Sequence, residues 1–224
     1  MSYAVFLLAL TCHEAAHALA AKWGGDPTAY YSGQVTLNPW PHIRREPFGT
    51  VVVPALTFYF SGSVLGWGSA PYDPFWEQRH PKRAAWMALA GPLANFGLVI
   101  LAAITIHLGI LAGVFQIPSS AGYAHVVNAT GAGLSEGLAA FVSRMFSLNL
   151  LLGVFNLLPV APLDGHSAIG LILPDAVHRR FLEFIRQPMP SLLGLMIAWR
   201  AVDPLFYPIF GIAINLLYWG AGFQ

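Results

Sequence analysis

Four stretches of this chain are apolar for long enough to cross a bilayer, and nothing else in the sequence restricts the fold as much. They cover about residues 3–22, 84–112, 137–158 and 190–220, where a span needs about 20 apolar residues for roughly 30 Å of hydrocarbon. Backbone polar groups in hydrocarbon must be satisfied within the segment itself, so these stretches are expected to be helices. The fold class is therefore all-α, a polytopic membrane protein with about four to six transmembrane helices. A fifth apolar run, Thr50 to Trp67, carries Pro54, Gly62 and Gly66 and is short for a full crossing.

Charge decides how that fifth run is read. All but Arg144 and Arg200 of the 11 lysines and arginines lie in 22–83 or 178–186, whereas 115–136 has none. Cytoplasmic loops carry the excess of Lys and Arg, which puts 22–83 and 159–189 on the cytoplasmic side and 113–136 outside. Thr50 to Trp67 then enters and leaves on one side, as a re-entrant segment, because a full span would carry Arg79, Lys82 and Arg83 outside. Charged residues make up only 9% of the chain and its formal net charge is +1, too little for a nucleic-acid face. Partners are expected in the lipid bilayer, and the oligomeric state is not legible. One cysteine, Cys12, excludes an intrachain disulfide.

The first span lacks the basic start and small-residue cleavage site of a signal peptide and is expected to be a retained helix. No repeat or soluble domain interrupts the chain, so residues 1–224 form a single domain, with a core over about 3–170 and a C-terminal helical segment over about 188–222. Between the first two core helices, Gly24 to Phe48 mixes Gly, Pro and short β-prone runs such as AYYSGQVTLN, a loop or small β segment. In the last span Arg200 and Asp203 stand three apart before Pro204, a spacing at which they can pair while the proline breaks the helix.

The chemistry is concentrated in the first span, in His13-Glu14-Ala15-Ala16-His17. Histidines four apart lie on one helical face, Cβ atoms about 6 Å apart, and can chelate one zinc ion, with the glutamate between them as general base. The bland alternative is a pair of core histidines bonded to neighbouring helices. It weakens within a span, where each ionisable residue costs about 3 kcal/mol on insertion scales and is functional by default. A catalytic zinc takes three protein ligands. Asp164, in NLLPVAPLDG between Pro159 and Gly165, is a candidate for the third, and equally a turn or capping residue. Asn95 can hold a substrate backbone through its amide or join two helices. His107 and Cys12 read as structural.

These motifs, HEAAH at 13–17, GPLAN at 91–95 and NLLPVAPLDG at 156–165, resemble the site-2 protease family of intramembrane zinc metalloproteases (peptidase family M50). Together with GQVTLNPWPHIRREPFGT at 33–50, they are similar to its compact subgroup without PDZ or CBS domains. The resemblance implies His13, His17 and Asp164 as zinc ligands, Glu14 as general base and Asn156 beside the scissile peptide. The family commonly continues DGG with an arginine, where this chain has Asp164-Gly165-His166-Ser167. Its frequent additional helix ahead of the first motif is expected to be missing.

The function expected is zinc-dependent endopeptidase cleavage of a transmembrane helix of a membrane protein substrate, as in regulated intramembrane proteolysis. Glu14 would activate water, Asn156 and Asn95 would orient the substrate, and the site would lie within the bilayer toward the cytoplasmic side. The alternatives are an intramembrane zinc transporter or sensor, and an inactive scaffold that binds membrane helices.

Overall fold

In a computed structural model that describes residues 1–62 and 64–219, four helices meet the length and hydropathy of a membrane span. They are α1 (Ser2–Gly24), α6 (Pro81–Leu111), α7 (Leu134–Asn156) and α10 (Pro188–Leu217). Shorter helices lie between them: α2 (Thr28–Tyr31), α3 (Pro39–Arg45), α4 (Val53–Ser61) after a π-helical turn at Phe48–Val52, α5 (Pro74–Arg79), α8 (Gly165–Ala168) and α9 (Asp175–Ile185). This is the expected all-α membrane fold.

The core is a three-helix packing of α1, α6 and α7, with α10 laid on α7. The first three approach closely because the faces that meet are small: Ala9, Ala18, Ala84, Ala85 and Ala88 are buried. Where lipid replaces water, close van der Waals approach of small side chains is the main cause of helix association. One half of the bundle is filled by larger groups, including Ile106, Phe146, Leu150, Phe206 and Ile214. In the other half the buried side chains of α1, α6 and α7 include His13, Glu14, His17, Asn95 and Asn149. α1 and α7 are mostly enclosed, whereas α6 and α10 turn most of their apolar surface outward, through residues such as Ile100, Leu101 and Ile104 on α6 and Met196, Ile197 and Trp199 on α10.

Residues 26–73 make an excursion along α1 and return to where they began. Gly25, at φ 99°, ends α1 in the left-handed conformation that glycine adopts without strain. On the way out the Tyr3 hydroxyl donates to the Thr50 carbonyl at 3.0 Å. α4 turns at Gly62, φ 69°, and the chain comes back with the Trp67 amide donating to the Gly49 carbonyl at 3.1 Å. Ser69 is held between Arg45 (3.2 Å) and Glu46 (2.6 Å), and the Asp73 amide reaches the Asp26 carboxylate at 2.8 Å. Both ends of Thr50 to Trp67 therefore meet, and the whole excursion starts and finishes at the C-terminal end of α1, which is the re-entrant geometry expected from the charges.

Two details differ from the sequence reading. The excursion is helical and irregular, and among the described residues it holds no strand; the small sheet pairs Phe115–Gln116 with Asn128–Ala129 instead. The AYYSGQVTLN run opens instead within a helical turn at Thr28–Tyr31, whose Thr28 amide donates to the Asp26 carboxylate at 3.0 Å. α10 also continues through Pro204 and Pro208, with no ion pair between Arg200 and Asp203 among the described residues. A proline inside a helix removes one hydrogen bond, and packing of α10 on α7 outweighs that loss.

Candidate metal centre

Spacing alone puts His13 and His17 on one face of α1, and the packing of α6 turns that face into a site. His13 Nδ1 lies 2.6 Å from Asn95 Oδ1, and the Asn95 Nδ2 donates to Asn149 Oδ1 at 2.9 Å. Asn149 in turn donates to the Met145 carbonyl at 2.8 Å. His17 Nδ1 lies 2.7 Å from the Met87 carbonyl. A carbonyl oxygen only accepts, so each histidine carries a proton on Nδ1 and turns its Nε2 toward the site. A partner at Nδ1 that sets tautomer and ring orientation is the usual arrangement behind metal-bound histidine.

The third group arrives from the loop after α7. Asp164 Oδ2 is 3.0 Å from His13 Nε2, Asp164 Oδ1 is 3.3 Å from His17 Nε2, and the two Nε2 atoms are 3.0 Å apart. Three atoms able to supply a lone pair thus converge on one point, an arrangement that draws a proton or a metal cation between them. For tetrahedral zinc with bonds of about 2.0 Å, ligand atoms stand about 3.3 Å apart, so the donor set fits zinc in type and in size. His13, His17 and Asp164 are the group among the described residues that can hold a metal.

The GPLAN motif owes its first and last residues to this packing. A Cβ at Gly91 would collide with Nε2 of both His17 and His13, so only glycine lets α6 come this close to the two histidines. One helical turn later comes Asn95, fully buried, whose amide is committed on both sides to His13 and Asn149. These bonds join α6 to α1 and to α7. In the NLLPVAPLDG loop a Cβ at Gly165 would meet the Leu157 and Leu158 carbonyls, and that tight fold delivers Asp164 to the histidines.

Glu14 is buried beside His13 in sequence, and the returning chain passes against it: a Cβ at Gly68 would stand 2.8 Å from Glu14 Oε1. Asn156 is half-buried at the end of α7, its Nδ2 donating to the Leu152 carbonyl at 3.1 Å. Among the described residues its side-chain hydrogen bond stays within α7, apart from His13, His17 and Asp164. His107 faces Tyr218, ring centroids 6.5 Å apart, and Cys12 is a half-buried free thiol, both consistent with structural roles. Met87, Gly91 and Asn149 escape a reading by residue type, because a backbone carbonyl, a missing side chain and an ordinary amide carry no metal signature. His42 in α3 escapes it too; it is buried within electrostatic reach of Glu14, with its Nε2 on the Thr36 carbonyl at 3.1 Å.

The profile of "Peptidase family M50" matches residues 1–199. Among curated proteins the chain is similar to "Putative zinc metalloprotease YwhC" of Bacillus subtilis (strain 168), 33% identical over 186 residues, covering 82% of this chain and 74% of that one. It is also similar to "Putative zinc metalloprotease Rip2" of Mycobacterium tuberculosis (strain ATCC 25618 / H37Rv), 30% identical over 200 residues, covering 88% and 67%. The Rip2 of Mycolicibacterium smegmatis (strain ATCC 700084 / mc(2)155) is 30% identical over 164 residues, covering 73% and 54%. No solved structure gives a significant match. The matched residues include every element that builds the metal centre, and the chain, a multi-pass zinc metalloprotease, belongs to peptidase family M50.

Proposed function

We propose that this protein hydrolyses peptide bonds within transmembrane segments of other membrane proteins, with His13, His17 and Asp164 as the zinc ligands and Glu14 as the general base. The observation that carries the proposal is depth. His13 stands 11 residues from either end of α1, Ser2–Gly24, about 16 Å of helix each way, so the site belongs inside the hydrocarbon. A substrate bond cleaved there must itself lie in the membrane.

When bound, the zinc supplies Lewis-acid activation of water and of the scissile carbonyl. The remaining work falls to side chains. The Glu14 carboxylate takes the proton of the attacking water on an Oε atom and later delivers it to the leaving amine nitrogen, so that both products leave neutral at that bond. Asn95 and Met87 hold the two imidazoles in one tautomer through the turnover. Asn156, at the mouth of the Asp164 loop, orients the substrate strand by hydrogen bonding. A substrate helix must unwind to expose a carbonyl, and the non-helical return segment at 64–73, against Glu14 at Gly68, offers an extended backbone for it to lie beside. The Lys and Arg distribution supports an active site opening toward the cytoplasm. A transporter would need further acidic or histidine-bearing stations along a path, and the described residues hold one such cluster.

The test is cleavage of a transmembrane substrate by purified protein, with and without chelator, beside Glu14→Gln. Chelation is expected to abolish cleavage, and Glu14→Gln to keep zinc but lose hydrolysis, since the amide accepts no proton from water. Turnover by Glu14→Gln at the unaltered rate would remove Glu14 as base.

A further inference from the structure

A second polar network, partly open to the surface at Arg186, lies directly behind the Asp164 loop. Arg186, capping the end of α9, places its guanidinium between that loop and α5. It forms a two-pronged pair with Glu77, Nη1 to Oε2 at 2.9 Å and Nη2 to Oε1 at 2.7 Å. Its Nη2 also donates to Ser167 Oγ at 3.0 Å, and its Nε donates to His166 Nε2 at 3.1 Å. His166 Nδ1 is bonded to the carbonyl of Leu163, the residue before Asp164. Glu77 is buried.

The chemistry of these partners leaves one arrangement. Arginine has only donors, so His166 Nε2 must be a lone pair, and a carbonyl only accepts, so His166 Nδ1 must carry the hydrogen. Both partners demand the same neutral tautomer. Arg186 is held charged, its pKa raised first by its hydrogen bonds to Glu77. The chain of contacts therefore runs from carboxylate to guanidinium to imidazole to the Leu163 carbonyl, whose peptide group supplies the nitrogen of Asp164. Turning that peptide would turn the Asp164 side chain off the two histidines.

General anchoring of this end of the molecule is provided elsewhere. Lys82 at the start of α6 donates to the Gly170 and Leu173 carbonyls at 2.6 and 2.8 Å and pairs with Asp175 at 3.5 Å. Those contacts tie the turn at Ile169–Leu171 and the start of α9 to α6 without touching His166. The arginine network has the narrower target.

We propose that Arg186 is a positioning residue of the metal centre: anchored on Glu77, it orients His166 and, through the Leu163–Asp164 peptide, aims the Asp164 carboxylate at His13 and His17. This rests on the reading of Asp164 as a zinc ligand. It also accounts for the His166-Ser167 pair that follows Asp164-Gly165 in this sequence, since both side chains are partners of the one guanidinium.

The experiment uses full-length protein in detergent and compares Arg186→Lys, Arg186→Ala and Glu77→Gln with Asp164→Ala. Three quantities are read: zinc affinity by competition with a chelator, the visible absorption of the cobalt-substituted protein, and the melting temperature of the metal-free protein. Lysine keeps the charge opposite Glu77 but lacks the fork needed to hold Glu77 and His166 together. Arg186→Lys is therefore expected to leave metal-free melting unchanged, to lower zinc affinity about 10- to 100-fold, and to alter the cobalt absorption. Arg186→Ala and Glu77→Gln should lower affinity in the same direction. Unchanged affinity and cobalt absorption in Arg186→Lys and Arg186→Ala, beside zinc loss in Asp164→Ala, would overturn the positioning role and spare the ligand set. A fall in metal-free melting with affinity unchanged would make Arg186 a structural strut and overturn it equally. Zinc retained in full by Asp164→Ala would instead remove the ligand assignment on which the inference stands.

Discussion

Asn95 and Asn156 are the same side chain in different surroundings. Asn95 is fully buried with its oxygen on His13 Nδ1 at 2.6 Å, so removing it frees that ring and leaves a buried imidazole N–H unpaired. Asn95→Ala is expected to lower zinc affinity about 10- to 100-fold, as loss of a group behind a metal ligand typically does. Asn156 touches its own helix at Leu152, and Asn156→Ala is expected to keep zinc and melting temperature while cleavage falls about 100- to 1,000-fold. Zinc titration, melting and turnover on the same preparations separate the two. Unaltered zinc affinity in Asn95→Ala with a raised KM would return Asn95 to substrate binding. The two histidines and Glu14 are legible in sequence because their spacing is itself the chemistry, four residues being one helical turn. Gly91 was legible only as part of a motif, and its reason, the Nε2 atoms lying where its Cβ would be, exists only once α6 meets α1.

At the scale of elements, the excursion from Asp26 to Asp73 sets the topology. Its ends are joined by the Asp73 amide on the Asp26 carboxylate, and its inner turn by Trp67 on Gly49, so it adds no crossing between α1 and α6. A cysteine at Ser119, in a Cys12-free background, is expected to react with a membrane-impermeant reagent from outside intact cells, and one at Gln78 to stay unlabelled. Reaction at Gln78 would make Thr50 to Trp67 a true span and invert everything after it. The short helices within the excursion were not legible. Propensity favoured strands there, but a strand needs a partner, and the contacts on offer are the Asp26 side chain and the flank of α1.

For the whole molecule, the metal centre joins parts that are far apart in the chain: His13 and His17 on α1, and Asp164 in the loop after α7, stand 3.0 to 3.3 Å from one another. A ligand that binds only the folded state stabilises it by about 2.7 kcal/mol at 100 times its Kd. Chelation is therefore expected to lower the melting temperature in detergent, and to lower it no further in His13→Ala or Asp164→Ala, where the three-ligand site is already broken. An equal drop in those variants would place the stabilising metal elsewhere.

Hydropathy, the Lys and Arg distribution and the His-x-x-x-His spacing are local properties, each contained within a stretch comparable to one helix. They were enough to give the membrane fold, the number of long spans, the likeness to a zinc peptidase family and the pairing of His13 with His17 on one helical face. Asp164 was open between ligand and turn residue because its neighbours in sequence, two prolines and a glycine, suit both. Only the tertiary structure decided it in favour of meeting the histidines, along with the tautomers set by Asn95 and Met87 and the hold of Arg186 on the Asp164 loop. Each of those depends on distances between residues some 20 to 150 positions apart, fixed by how closely small side chains let α1, α6 and α7 approach.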